Sequence, residues 1–231
     1  MNAVTDLHLP SLPRKDPVVY GGEVRSDGLL PETLEQYRQD GFVRFDHFLD
    51  GTAVAALSRE AERLHGESGD VHKSSILIGA LVSDPALLGP VRQILGGPVY
   101  VHRSRIYDAA GPVAAPFHWH SDFESWHAED GMLRMRAVTV QIFLSDATPE
   151  NGPLMLIPGS HLQSAARAVE LIERNGIVTA TGSAGSMVLF DCNLLHGANG
   201  NITPMPRTTL SIVYNSVDNR PAADRDGTEA L

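Results

Sequence analysis

Apolar and polar positions follow two different periods along the chain. In the first third the period is helical. TAVAALSREAERLHG (52–66) sets Val54, Leu57, Ala61 and Leu64 on one side of a predicted helix. PETLEQYRQD (31–40) opens on proline, carries acids early and is followed by Gly41, the start and stop signals of a second helix. DPALLGPVRQILGG (84–97) reads as a third, and GFVRFDHFL (41–49) alternates as a short strand. From Val99 onward the period becomes two. VYVHRSRIY (99–107), RAVTVQIFLS (136–145), GIVTATG (176–182), SMVLFD (186–191) and RTTLSIVYNS (207–216) are strand-like runs separated by Gly, Pro, Asn and Asp. LQSAARAVELIERN (162–175) is one late helix. Residues 1–30, rich in Pro, Gly and charge, read as an extended arm. The expected organisation is that arm followed by one domain over 31–231. Its helical part (31–97) packs on a β-sandwich or barrel (98–217), so the fold is mainly β with flanking helices.

Composition narrows this picture. Gly and Pro total 36 of 231 residues, above the usual share, which suits a fold with many tight turns. The formal net charge of −10 makes nucleic acid and anionic membrane poor partners. No run of 18 apolar residues predicts a spanning helix, and the N-terminus lacks an apolar export segment, so a cytoplasmic location is expected. A single cysteine, Cys192, excludes an intrachain disulfide and a Cys-rich zinc site. The expected partner is a small-molecule substrate, with a homodimer left open.

Candidate chemistry concentrates in FHWHSDFESWHAEDGM (117–132). His118, His120 and Asp122 stand at i, i+2 and i+4, so an extended segment would turn all three to one face. His196 follows the strand 186–191. A His-x-Asp pair with a distant histidine is the donor set of non-haem Fe(II) oxygenases, which leaves three coordination positions open for a cosubstrate and O₂. We read His120, Asp122 and His196 as the metal ligands. The tripeptide alone is common by chance, and a His118–His120 pair is an alternative. Arg207, eleven residues after His196 at the start of the last strong strand, favours the iron reading. A 2-oxoglutarate-dependent enzyme needs a cation for the far carboxylate of that cosubstrate, and a guanidinium binds a carboxylate through two hydrogen bonds. Arg207, Thr209, Ser211 and Val213 share one strand face. Arg103 and Arg105 point the same way on the strand 99–107, a costly arrangement unless anions meet it. One of them would serve the cosubstrate and the other a substrate carboxylate. Trp126 is either a pocket wall or ordinary packing, and His127, Glu129 and Asp130 read as turn and hydrogen-bonding residues.

The 117–132 segment resembles the signature of ectoine hydroxylases, within the phytanoyl-CoA dioxygenase superfamily of Fe(II)/2-oxoglutarate enzymes. RKDPVVYGG, YRQDGFVRFDHFL, RQILGGPVYVHRSRI, MRAVTVQIFLSD, NGPLMLIPGSH, GSMVLFDCNLLHGANGNITPMPR and VYNS extend the resemblance over most of the chain. It implies a double-stranded β-helix core, that is, a cupin-like jelly roll. It implies Fe(II) at His120, Asp122 and His196, and 2-oxoglutarate held by Arg207 with Phe117, Arg105 and Thr139 nearby. Trp126 and Ala137 match positions beside the substrate. The chain departs from the group at three substrate-side positions. Arg103 stands where the group has a glutamine that contacts ectoine, Ala198 where it has a serine, and Ser211 where it has a phenylalanine. The stretches before Val99 and between His161 and Gly176 are also shortened. The resemblance implies hydroxylation of a small, carboxylate-bearing, amino-acid-like molecule, with ectoine 5-hydroxylation the nearest named activity. A different free amino acid is an alternative substrate. A cupin-like metal-binding protein using His118, His120 and His196, and a non-catalytic relative, are the readings from other classes.

Overall fold

The computed structural model describes residues 13–21, 25–67, 69–109, 111–112, 119–163 and 168–222, without the side chains of 168 and 169. Five helices dominate the N-terminal part. They are α1 (Pro31–Asp40), α2 (Gly51–Arg63), α3 (Val71–Ser74), α4 (Ile76–Val82) and α5 (Pro85–Leu95). Their ends follow local chemistry. The side chains of Asp50, Ser75 and Asp84 accept backbone N–H groups of Ala53, Ile78 and Ala86, which caps α2, α4 and α5. Gly41 closes α1 at φ 82°, where a Cβ would run into the ring of His161. Helices α3 and α4 lie in a stretch the sequence pattern left unassigned. With four and seven residues they are too short to display a helical period.

The strands are β1 (Phe42–Phe45), β2 (Val99–Ala109), β3 (Ala137–Phe143), β4 (Leu154–Leu156), β5 (Val178–Ala180), β6 (Met187–Asp191), β7 (His196–Ala198) and β8 (Arg207–Ser216). Helix α6 (Asp122–Asp130) lies between β2 and β3, and α7 (Ala168–Asn175) between β4 and β5. Five strands form one antiparallel sheet in the order β1-β6-β3-β8-β2, and three form a second in the order β5-β4-β7. The short β4 and β7 were not foreseen as strands. Three residues do not complete two periods of alternation.

Period-two alternation separates the faces of the large sheet. Val138, Val140 and Ile142 of β3, Leu189 of β6, and Leu210, Ile212 and Tyr214 of β8 pack with Leu57, Leu64, Leu87, Val91 and Ile94 of the helical layer. On the opposite face, Phe42, Phe143, Val188 and Phe190 pack with Leu154 and Leu156 of the small sheet. The helices therefore cover one face and the small sheet the other. The N-terminal arm is anchored rather than loose where it is described. Arg14 forms a buried ion pair with Asp191, and the Tyr20 N–H bonds the Ile94 carbonyl.

One irregularity matters for the site. The β2–β8 register slips between Val101 and Arg103, leaving His102 as the extra residue of a bulge. Val99 and Val101 face the helical core, as does Ile106 beyond the slip, while Arg103 and Tyr107 face the other way. Without the extra residue, Arg103 would share the face of Val101.

Candidate active site

His120 and His196 form an isolated antiparallel bridge, each donating its N–H to the other's carbonyl at 3.0 and 2.9 Å. Residues directly opposite in such a pair project to the same side. Their ring centroids are 4.2 Å apart. The segment does not continue as a strand to Asp122, as an extended reading of 118–122 would require. Ser121 is the extended N-cap of α6, its hydroxyl accepting the Glu124 N–H, and Asp122 is the first helical residue. The chain bends there and brings the carboxylate back to the imidazoles. Asp122 Oδ1 lies 3.6 Å from His120 Nε2 and 3.7 Å from His196 Nε2. One ligand atom from each of the three residues lies within 4.8 Å of the others.

Surrounding contacts prepare these groups for a cation. His196 Nδ1 sits 2.9 Å from the Leu194 carbonyl, so this nitrogen carries the proton and Nε2 presents its lone pair. Burial pushes the His196 imidazole down to about 4, with His120 adding to the effect and Asp122 opposing it. Burial alone would raise the Asp122 carboxyl, but His196, His120 and the Thr139 hydroxyl hold it below its ordinary value. That hydroxyl donates to Asp122 Oδ2 at 3.0 Å. The position of Asp122 at a helix N-terminus also favours its anion. Near neutral pH His196 is therefore a neutral imidazole and Asp122 an ionised carboxylate, the states a metal ion requires.

The three groups open on a cavity of about 260 Å³, near the lower end of the roughly 300–1,000 Å³ range of small-molecule sites. Arg207, Thr209, Ser211 and Val213 line it from β8, Thr139 and Gln141 from β3, Arg103 and Tyr107 from β2, and Ala198 from β7. Trp126 reaches it from α6 while also packing against Phe123, Met135 and Val213, so it is both wall and core. Arg207 is buried at 6% exposure, and its Nε donates to the Gly152 carbonyl at 2.8 Å. Among the described residues no carboxylate comes within ion-pair distance of it. Burial lowers its pKa, and a guanidinium stays charged regardless. A buried cation without a counter-ion favours an anionic occupant.

Several expectations are corrected. Arg103 and Arg105 do not form a like-charge pair in the cavity. The Arg105 guanidinium bonds the Gly69 carbonyl and is not part of the lining. Arg103 Nη2 lies 3.8 Å from Asp130 Oδ2, which also meets His102 Nε2 at 3.1 Å. The turn residue Asp130 thus proves to be a buried acid at the end of α6. The Thr139 hydroxyl donates to Asp122, and the residue lines the cavity. Ala137 packs behind the site with Phe123, Trp126 and Cys192 and does not line the cavity. Phe117 and His118 lie outside the described residues. The sequence reading overlooked Tyr107, Asp108, Gln141 and Asn199 as lining residues. For Gln141 a signal existed, since it stands two residues from Thr139 on the same strand face. Among the described residues its Oε1 and the Thr209 Oγ1 are buried with no hydrogen-bond partner, which suits groups awaiting a ligand.

Residues 37–209 match the family described as phytanoyl-CoA dioxygenase (PhyH). The chain is 40% identical over 260 residues to the ectoine dioxygenase of Bordetella parapertussis, covering 93% of this chain and 84% of that one. It is 38% identical to the ectoine dioxygenase of Stutzerimonas stutzeri, covering 89% and 83%. The crystal structure of EctD from S. alaskensis with 2-oxoglutarate and 5-hydroxyectoine superposes with a TM-score of 0.85 at 36% identity, covering 95% of this chain and 88% of that one. The two facing sheets with helices on one side are accordingly a jelly-roll core. Family match, sequence identity and shared architecture agree: this chain belongs to the phytanoyl-CoA dioxygenase family.

Proposed function

We propose that this chain is an Fe(II)/2-oxoglutarate-dependent dioxygenase that converts ectoine to 5-hydroxyectoine. The observation that carries the reading is the convergence of His120, Asp122 and His196 on a cavity that also contains the buried Arg207, which has no carboxylate partner among the described residues. The donor set fits ferrous iron: two imidazoles, one carboxylate, no thiolate and a shared opening on the cavity. When bound, the iron couples O₂ reduction and 2-oxoglutarate decarboxylation to hydroxylation of a substrate C–H bond.

The chain's own residues do the rest. Arg207 binds the far carboxylate of 2-oxoglutarate, with Thr209 and Gln141 as polar neighbours. The Leu194 carbonyl fixes the His196 tautomer, and the Thr139 hydroxyl fixes the free oxygen of Asp122. Trp126 limits water at the substrate side. Arg103, held in place by Asp130, faces the substrate, with Ala198 and Ser211 shaping the remaining space. A cytoplasmic location fits an enzyme supplied with 2-oxoglutarate from central metabolism.

The test is a succinate-release assay with Fe(II), 2-oxoglutarate and ectoine, with product identified by mass and proton NMR. Formation of 5-hydroxyectoine in proportion to succinate supports the reading. Absence of ectoine-dependent succinate sinks the ectoine assignment. One observation favours a second substrate, a small amino acid with an additional acidic group: a second basic residue, Arg103, lines the cavity. Running such amino acids in the same assay separates the two.

A further inference from the structure

Arg14 lies far from the candidate iron site in sequence, yet its buried ion pair with Asp191 connects to both halves of that site. We propose that Arg14, in the N-terminal arm, is a positioning residue for the metal centre and acts through the turn at 191–194. The proposal rests on reading His120, Asp122 and His196 as metal ligands.

The guanidinium is anchored within its own segment. Nε donates to the Asp16 carbonyl and Nη2 to the Pro17 carbonyl, both at 2.9 Å. Nη1 donates to Asp191 Oδ1 at 2.8 Å, and the two side chains are only 5% and 3% exposed. The same carboxylate oxygen accepts the Asn193 N–H at 2.9 Å, and the Asp191 carbonyl accepts the Leu194 N–H. This is a turn organised by an aspartate side chain. Asn193 Nδ2 and Arg14 Nη1 both donate to the His161 carbonyl, at 2.8 and 3.4 Å, which ties the arm and the turn to one point.

Two links run from this turn into the site. The Leu194 carbonyl receives the Nδ1 proton of His196. The Cys192 carbonyl receives the Phe123 N–H at 2.9 Å, one residue after Asp122. The turn thus sets the orientation of one imidazole and the seat of the helix that begins with the carboxylate. Arg14 supplies the counter-charge that lets Asp191 organise the turn at 2% exposure. Sub-ångström placement of ligands governs metal affinity, so a loosened turn weakens the ion's hold.

The test uses the full-length metal-free protein and Co(II) as probe, with its visible absorption reporting both affinity and ligand field. The variants are Arg14→Gln and the double variant Arg14→Gln/Asp191→Asn, which removes the buried charge from both sides. Asp50→Ala, which deletes the α2 cap, is a control for destabilisation away from the site. A positioning role predicts at least tenfold weaker Co(II) binding and an altered spectrum in both Arg14 variants. These are measured well below their melting temperatures, while the control binds as wild type does. If Arg14→Gln does not fold, the double variant decides. Binding within twofold of wild type with an unchanged spectrum, in either folded Arg14 variant, overturns the proposal. Failure of the wild-type protein itself to bind Co(II) would instead overturn the metal-site reading beneath it.

Discussion

At the residue scale, charge placement distinguishes the proposed roles. Asp122→Ala removes the one anionic ligand, and the expected result is loss of metal binding and of turnover together. Arg207→Ala leaves the metal set intact. It forfeits a charged hydrogen-bond pair worth about 2 kcal/mol, so the 2-oxoglutarate KM should rise roughly 30-fold with Co(II) affinity unchanged. Equal loss of metal affinity in that variant would refute the division of labour. The buried histidines set a pH dependence. An unfolded imidazole takes a proton below about 6.5, whereas folded His196 resists until about 4, and His161 is lowered as well, chiefly by burial. The unfolded state therefore binds more protons across this window, so the stability of metal-free protein should fall as pH drops from about 6.5 toward 4. Urea midpoints at pH 7 and pH 5 check this, and equal values would contradict it. His120, Asp122, His196 and Arg207 were candidates from spacing and residue type, because donor chemistry is written in the residues themselves, and the fold brings the four to one cavity. The partners of Arg103 and Arg105 were not. A guanidinium on a long stem goes wherever the fold offers an acceptor.

At the element scale, short capping and turn motifs carry the site. Ser121→Ala removes the α6 cap and should cost about 1 kcal/mol, or roughly 2–4 °C in melting temperature. Because Asp122 follows immediately, Co(II) affinity should weaken too. An unchanged affinity would mean that α6 is held without its cap. Gly41→Ala forces a side chain onto a left-handed residue and into the His161 ring. A loss above about 2 kcal/mol in thermal or urea unfolding is expected. The long helices and the five strands of the large sheet were legible because each shows its period more than once, and β5 because it lies inside the longer strand-like run 176–182. Helices α3, α4 and α6 and strands β4 and β7 were not. The spacing of His118, His120 and Asp122 suggests one face only if that segment is extended, whereas the chain enters α6 at Asp122, where the Ser121 hydroxyl accepts the Glu124 N–H.

At the scale of the whole molecule, the large sheet has a helical layer on one face and the small sheet with the site on the other. A ligand that binds only the folded state stabilises it by about 2.7 kcal/mol at a hundredfold excess over its Kd. Co(II) should raise the melting temperature, and 2-oxoglutarate should raise it further only when metal is present. An independent rise with 2-oxoglutarate alone would mean that Arg207 suffices to hold it. The amino-acid sequence alone determined the periods of the longer elements, the candidate donors His120, Asp122 and His196, and the position of Arg207 on β8, because these depend on residue type and on spacing along the chain. Tertiary structure alone decided which groups meet. The slip at His102 gave Arg103 the cavity face, Asp130 came back beside it, and Arg14 reached Asp191 across the length of the chain. Such pairings depend on register and on long-range closure, which no local pattern encodes.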